Sequence, residues 1–152
     1  MDAVAYINPA VISFVNENLV PLRLLASDSV LGPRYKIKWT PSLLVLDDEG
    51  VEQSRTLGFF PPEELIPSLF LGMGKAKFNL PNRPAACECF SKVVAQYPKS
   101  SFAPEAIYLN GVSSYIEFHE VANLIGIYDR LRAEYPQSPW LIRADPYRLL
   151  KK

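Results

Sequence analysis

The amino-acid sequence predicts an α/β segment followed by an all-α region built of helical repeats. Three observations carry that prediction. Short apolar runs bounded by turn formers occupy the first half, "VPLRLLA" (20–26) and "SLLVL" (42–46) among them. The second half matches itself at a spacing of about 37 to 38 residues. Between them, "PPEEL" (61–65) places proline and two carboxylates where the first turn of a helix favours them.

Taken in order, Asn8-Pro9 reads as an N-cap followed by proline at the first helical position. Val11, Ile12, Val15 and Leu19 then fall on one helical face. The run Val20 to Ala26 is short and apolar, which predicts a strand. Asp28 to Tyr35 predicts a weaker helix, with Gly32-Pro33 in its middle as breakers. Ser42 to Leu46 predicts a strand covered on both faces, because it is apolar without alternation. Asp47 to Gly50 predicts a hairpin turn in which Gly50 takes positive φ, and Val51 to Gly58 the returning strand. A helix opens after Pro62.

Composition narrows the function. The apolar fraction of 49% supports a real core, and sixteen basic residues balance sixteen acidic ones. That balance gives no field for nucleic acid or an anionic membrane, so neither partner is expected. No apolar run reaches the length of about 18 residues that a membrane span needs, and Met1-Asp2 opens without a basic signal-like region. Cys87 and Cys89 are the only cysteines, too close in sequence to bridge, which excludes a disulfide framework and makes a cytoplasmic setting the expectation.

The stretches "NPAVISFVNENLVPLRL", "RYKIKWTPSLLVLDDEG" and "LGFFPPEEL" together resemble, in order and spacing, the second part of a thioredoxin-like domain. The resemblance covers most of residues 8–65. It implies that the Thr40-Pro41 bond is cis and that Trp39, Thr40 and Pro41 form an edge where an extended substrate pairs with the backbone. It also implies an incomplete sheet. "MDAVAY" resembles the tail of the helix that carries the family's Cys-x-x-Cys, so the first strand and that motif have no counterpart here. The strand without a counterpart would lie between Val20–Ala26 and Ser42–Leu46. Bare strand edges invite pairing with another chain, so a homodimer is expected.

In the second half Gly74 aligns with Gly111, Phe78 with Tyr115 and Ala85 with Ala122. Beyond one extra residue, Phe90 aligns with Tyr128 and "AQYPKS" with "AEYPQS". Small residues let two helices approach, aromatics fill between them, and Tyr-Pro ends the second. The unit resembles a tetratricopeptide repeat, longer than the usual period of about 34 residues. Ser101 to Tyr115 and Trp140 to Leu150 are expected to begin further helices, and the array to pack on the first half through the helix after Pro62. The resulting expectation is a thioredoxin-like domain over 1–72 and helical hairpins over 73–152.

Candidate chemistry is sparse. Cys87 and Cys89 lie about 200° apart around a helix, so their thiols diverge and read as packing residues. His119 reads as a solvated turn residue, and Asp47, Asp48 and Glu49 as a solvated hairpin turn. No phosphate loop, serine elbow or zinc spacing is present. The expectation is a non-catalytic module that binds a protein or peptide, with no catalytic residue, cofactor or metal. The alternative is a thiol-disulfide oxidoreductase whose motif is missing from this chain.

Overall fold

The computed structural model describes residues 4–80 and 82–151. Met1 and Asp2, on which the signal reading rests, and Ala3, the rest of the opening of "MDAVAY", lie outside them. In chain order the elements are α1 (Pro9–Asn18), the single turn α2 (Leu31–Arg34), β1 (Ser42–Leu46), β2 (Glu52–Leu57), α3 (Pro62–Asn79), α4 (Arg83–Gln96), α5 (Ala103–Phe118), α6 (Val121–Glu134) and α7 (Pro139–Ala144). A 3-10 segment, Asp145–Leu150, follows. The architecture is a small α/β region joined to a helical region. Among the described residues no helix is long and apolar enough to cross a membrane.

The helix starts follow local chemistry. Asn8 Oδ1 accepts from the amide of Ala10 at 2.9 Å, with Pro9 in the position that needs no N–H. Glu63 and Glu64 lie in the first turn of α3. The Glu64 carboxylate also accepts from the Ser100 hydroxyl at 2.9 Å and the Ser101 amide at 3.1 Å, tying α3 to the turn before α5. His119 ends α5 in the left-handed region at φ 56°, exposed, its amide donating to Tyr115 at 2.7 Å.

β1 and β2 form a two-stranded antiparallel sheet, with Ser42 opposite Leu57 and Val45 opposite Ser54. Asp47 builds the connecting turn rather than standing free in solvent. Its carboxylate accepts from the Val51 amide at 2.8 Å and the Gln53 side chain at 2.7 Å. The Val51 bond is the main cause holding its carboxyl below the usual range. Gly50 takes φ 74°, where an L side chain would be strained.

Three expectations fail here. Val20 to Ala26 is not a strand: it has no ladder partner among the described residues, and Val20 and Leu22 are 97% and 73% exposed. Pro21 has no N–H to give such a ladder, and an apolar run without a neighbour has nothing to close against. The weak helix over 28–35 shrinks to α2, where Asp28 Oδ1 accepts from the Leu31 amide at 2.7 Å and Gly32-Pro33 allows no extension. β1 is covered unequally on its two faces, with Leu44 only half-buried. Val45 is buried and Leu43 packs on the core, while Leu46 on the opposite face is exposed.

Helix α3 is the hub. Its Leu65, Leu69, Phe70 and Leu71 are buried, and it packs on β1, β2, α1, α4 and α5. Phe70 meets Phe14 of α1 edge-on at 4.6 Å between ring centroids. A Cβ on Gly72 would lie 2.6 Å from a Val45 methyl, so this glycine admits the sheet. One turn face away, a Cβ on Gly74 would fall within 2.7 Å of the Phe90 ring, so this one admits α4. The expected boundary between 72 and 73 thus falls inside α3, between a glycine facing the sheet and one facing the next helix.

The α3–α4 and α5–α6 hairpins share internal geometry. Gly111 is crowded by Ile127, with a Cβ there 2.6 Å from its Cδ1, as Gly74 is by Phe90. Ile127 therefore stands where the alignment placed Tyr128, because the residue facing the glycine is set by which side of α6 turns inward. Both hairpins stop in the same turn. Ser100 donates its amide to Tyr97, and Ser138 to Tyr135, each at 3.0 Å. The Tyr135 hydroxyl donates to the Pro98 carbonyl, joining one stop to the other.

Candidate functional site

The segment Arg34 to Leu46 supplies an edge where backbone groups, an exposed aromatic and charge come together. Its geometry begins with β1. The Gly58 amide donates to Pro41 O at 2.9 Å, which makes Pro41–Gly58 a hydrogen-bonded pair. In an antiparallel ladder such pairs alternate, so Leu43 and Val45 also bond toward β2. Ser42 and Leu44 then turn their amides and carbonyls away from it, and among the described residues no third strand receives them. An open edge of this kind is a template for another extended chain.

Immediately before β1, Trp39 is 72% exposed, Thr40 is exposed and Pro41 is half-buried. The Thr40–Pro41 peptide is cis. Ser42 Oγ donates to Trp39 O at 2.5 Å, which fixes the turn that carries the indole. The structure therefore brings Trp39, Thr40 and Pro41 to the start of the open edge.

Sequence reasoning missed the cations that precede them. Arg34, Lys36 and Lys38 are exposed and, among the described residues, form no ion pair. The alternating pattern of "RYKIK" was the available signal. Lys36 sits in the left-handed region at φ 50°, uncommon for a residue with a side chain. Lys36 and Lys38 line an open cleft of about 510 Å³ with Asp28, Gly32 and Pro33. The Asp28 carboxyl is held below its usual range by the Leu31 and Val30 amides, so it keeps its charge. Nearby, Arg55 is consumed by Glu52, Nε to Oε1 2.8 Å, which lowers the Glu52 carboxyl and raises the guanidinium.

The cysteines lie elsewhere. Cys87 and Cys89 belong to α4, which packs on α3 and α5, whereas β1 packs on β2 and α3. Cys87 Sγ lies 3.8 Å from Ser114 Oγ on α5. Cys89 is buried, and burial pushes its thiol up, opposite to what a nucleophilic thiolate needs. His119 is a helix cap whose ring lies edge-on to Tyr115 at 6.4 Å between centroids. Among the described residues no group of three or more His, Cys, Asp or Glu side chains gathers as a metal site would. The edge can therefore present hydrogen-bonding backbone, an aromatic face and positive charge. No protein-family model matches the chain, and no curated protein and no solved structure matches it.

Proposed function

We propose that the chain is a non-catalytic protein-binding module. In this reading a thioredoxin-like half, residues 1–72, presents a strand edge at Trp39, Thr40 and Pro41. A tetratricopeptide-like half, residues 73–152, holds that edge in place through α3. The observation that carries the reading is the outer side of β1, where among the described residues the backbone of Ser42 and Leu44 has no strand beside it and a 72% exposed Trp39 stands at its start. Backbone pairing supplies affinity in such modes, and side-chain neighbours supply selectivity. A homodimer is a second occupancy, favoured by the exposed apolar residues Val20, Leu22 and Leu25.

Selection of displayed extended peptides on the folded chain tests the reading. Binders should emerge that lose binding to Trp39→Ala and keep it with Cys87→Ala. Reduction of insulin disulfides by the chain, lost in Cys87→Ala or Cys89→Ala, would overturn the proposal in favour of a thiol-disulfide oxidoreductase.

A further inference from the structure

We infer that Tyr35 and Arg55 are positioning residues of the binding edge: they clamp the segment leading into Trp39 onto the hairpin and thereby fix where the indole stands. The inference rests on the peptide-binding reading above and names the residues that hold its site in shape.

The clamp follows from the face that each strand residue takes. A Cβ on Gly72 of α3 would meet the side chains of Val45 and Ser54, so those two face the helix. Alternation sends Leu44 and Arg55, which are register partners, to the other face of the sheet. There Arg55 Nη2 donates to the Tyr35 carbonyl, and the Tyr35 hydroxyl donates to the Gly50 carbonyl at 2.9 Å. Tyr35 is thus held at both ends, its backbone by β2 and its side chain by the hairpin turn. Arg55 is fixed in its own place. Glu52 Oε1 accepts from its Nε at 2.8 Å, and Glu52 Oε2 pairs with its Nη2. A guanidinium held at two points by a carboxylate keeps one orientation. The Arg34 guanidinium lies over the Tyr35 ring at 5.3 Å from its centroid, adding contact on the same side.

The consequence runs along the chain. From Tyr35 the backbone reaches Trp39 through Lys36, Ile37 and Lys38. The Ile37 amide donates to Gly32 O at 3.0 Å, and Lys36 is held at φ 50° beside the clamp. A side-chain-bearing residue keeps such a conformation where its surroundings impose it. Beyond it, Ser42 Oγ ties Trp39 O to the start of β1. The bonds of Tyr35 carry this segment onto the sheet, and they do so on a face, leaving the outer edge of β1 free. An aromatic already in place loses less conformational freedom when a partner docks, so the clamp contributes affinity without touching the partner.

The test compares Tyr35→Phe, Arg55→Ala and Arg55→Lys with the natural chain, all ¹⁵N-labelled. In the free protein the Trp39 indole N–H should gain fast motion in relaxation measurements with Arg55→Ala, and less with Tyr35→Phe. The Trp140 indole, packed on Tyr108 in the helical region, should stay as it is. The tightest binder among displayed seven-residue peptides should bind Arg55→Ala about tenfold more weakly. Arg55→Lys, which keeps a cationic donor, should recover part of that loss. An unaltered Trp39 indole overturns the inference, and so does motion that spreads to Trp140, because the pair would then be general stabilisers. Unchanged affinity in all three variants overturns the inference alone. If no displayed peptide moves the Ser42 and Leu44 amides of the natural chain, the binding reading falls and the inference with it.

Discussion

Phe90 and Leu22 are large apolar side chains of one chain, yet one is 0% exposed against Gly74 and the other 73% exposed with no strand beside it. That contrast runs through the molecule. From α3 onward each helix packs on the next, and glycines at 74 and 111 let the packing close to van der Waals contact. Before α3, a two-stranded sheet, a ten-residue helix and a single helical turn leave strand backbone and apolar side chains uncovered. A two-stranded hairpin is marginal by itself, so the α/β half depends on α3 for its order. The helical half is where stability resides; the α/β half is where surface remains to be covered by something else.

The largest effect that would test this division is truncation in each half. Phe90→Ala should cost about 3–5 kcal/mol, the usual range for a fully buried phenylalanine. Leu22→Ala should stay within about 0.5 kcal/mol, as an exposed position does. Urea unfolding of both variants checks the pair, and similar losses would break the comparison.

Glycine substitutions sharpen it. Gly74→Ala and Gly111→Ala should each destabilise by about 1–3 kcal/mol, because the new methyl overpacks Phe90 or Ile127. Gly126→Ala meets nothing within 4 Å and should gain up to about 1 kcal/mol from helix propensity. Equal responses at the three sites would mean that the helices do not approach through glycine.

Exposure of Val20, Leu22 and Leu25 makes the α/β half the expected source of self-association. Light scattering should show mass rising with concentration for the natural chain and a monomer for Leu22→Lys with Leu25→Lys. An unchanged mass in that variant would move the contact to another surface.

The smallest effects are titrations, one in each half. Asp47 has a lowered carboxyl pKa, so its contribution is present above the ordinary aspartate range and lost as pH falls through the lowered value. Asp47→Asn should flatten the acid limb of stability. Tyr147 is pushed up to about 12 by burial, with the Tyr108 hydroxyl 3.0 Å away. Its contribution is present below the ordinary tyrosine value of about 10 and lost as pH rises toward about 12. Tyr147→Phe should remove that alkaline dependence in urea midpoints measured across this window.

Local signals made much of this legible. Asn8-Pro9, Pro62-Glu63-Glu64, the Asp47-to-Gly50 turn and the repeated Tyr-Pro stops each act within a few residues of themselves, and each stands where the sequence puts it. Val20 to Ala26 failed because strand formation depends on a neighbour, and composition does not reveal whether one is within reach. The expectation of cover on both faces of β1 failed for the same reason, since an unalternating apolar run looks alike under one layer or two. At the candidate site Trp39, Thr40 and Pro41 were named through the thioredoxin-like resemblance, and they stand immediately before β1. Lys36 and Lys38 were not, because alternating lysines read as a solvated surface until the cleft and the lack of an ion pair among the described residues set them apart.

The claim on which the account turns is that the outer edge of β1 is open. Residue-resolved hydrogen exchange of the dilute, monomeric chain tests it directly. Leu43 and Val45 belong to hydrogen-bonded pairs with β2, whereas the Leu44 amide points outward. Leu44 should therefore exchange far faster than its two neighbours, and slow when an extended peptide that binds the edge is added. Protection of Leu44 equal to that of Leu43 and Val45 in the free monomer would contradict the account, because the edge would already be covered.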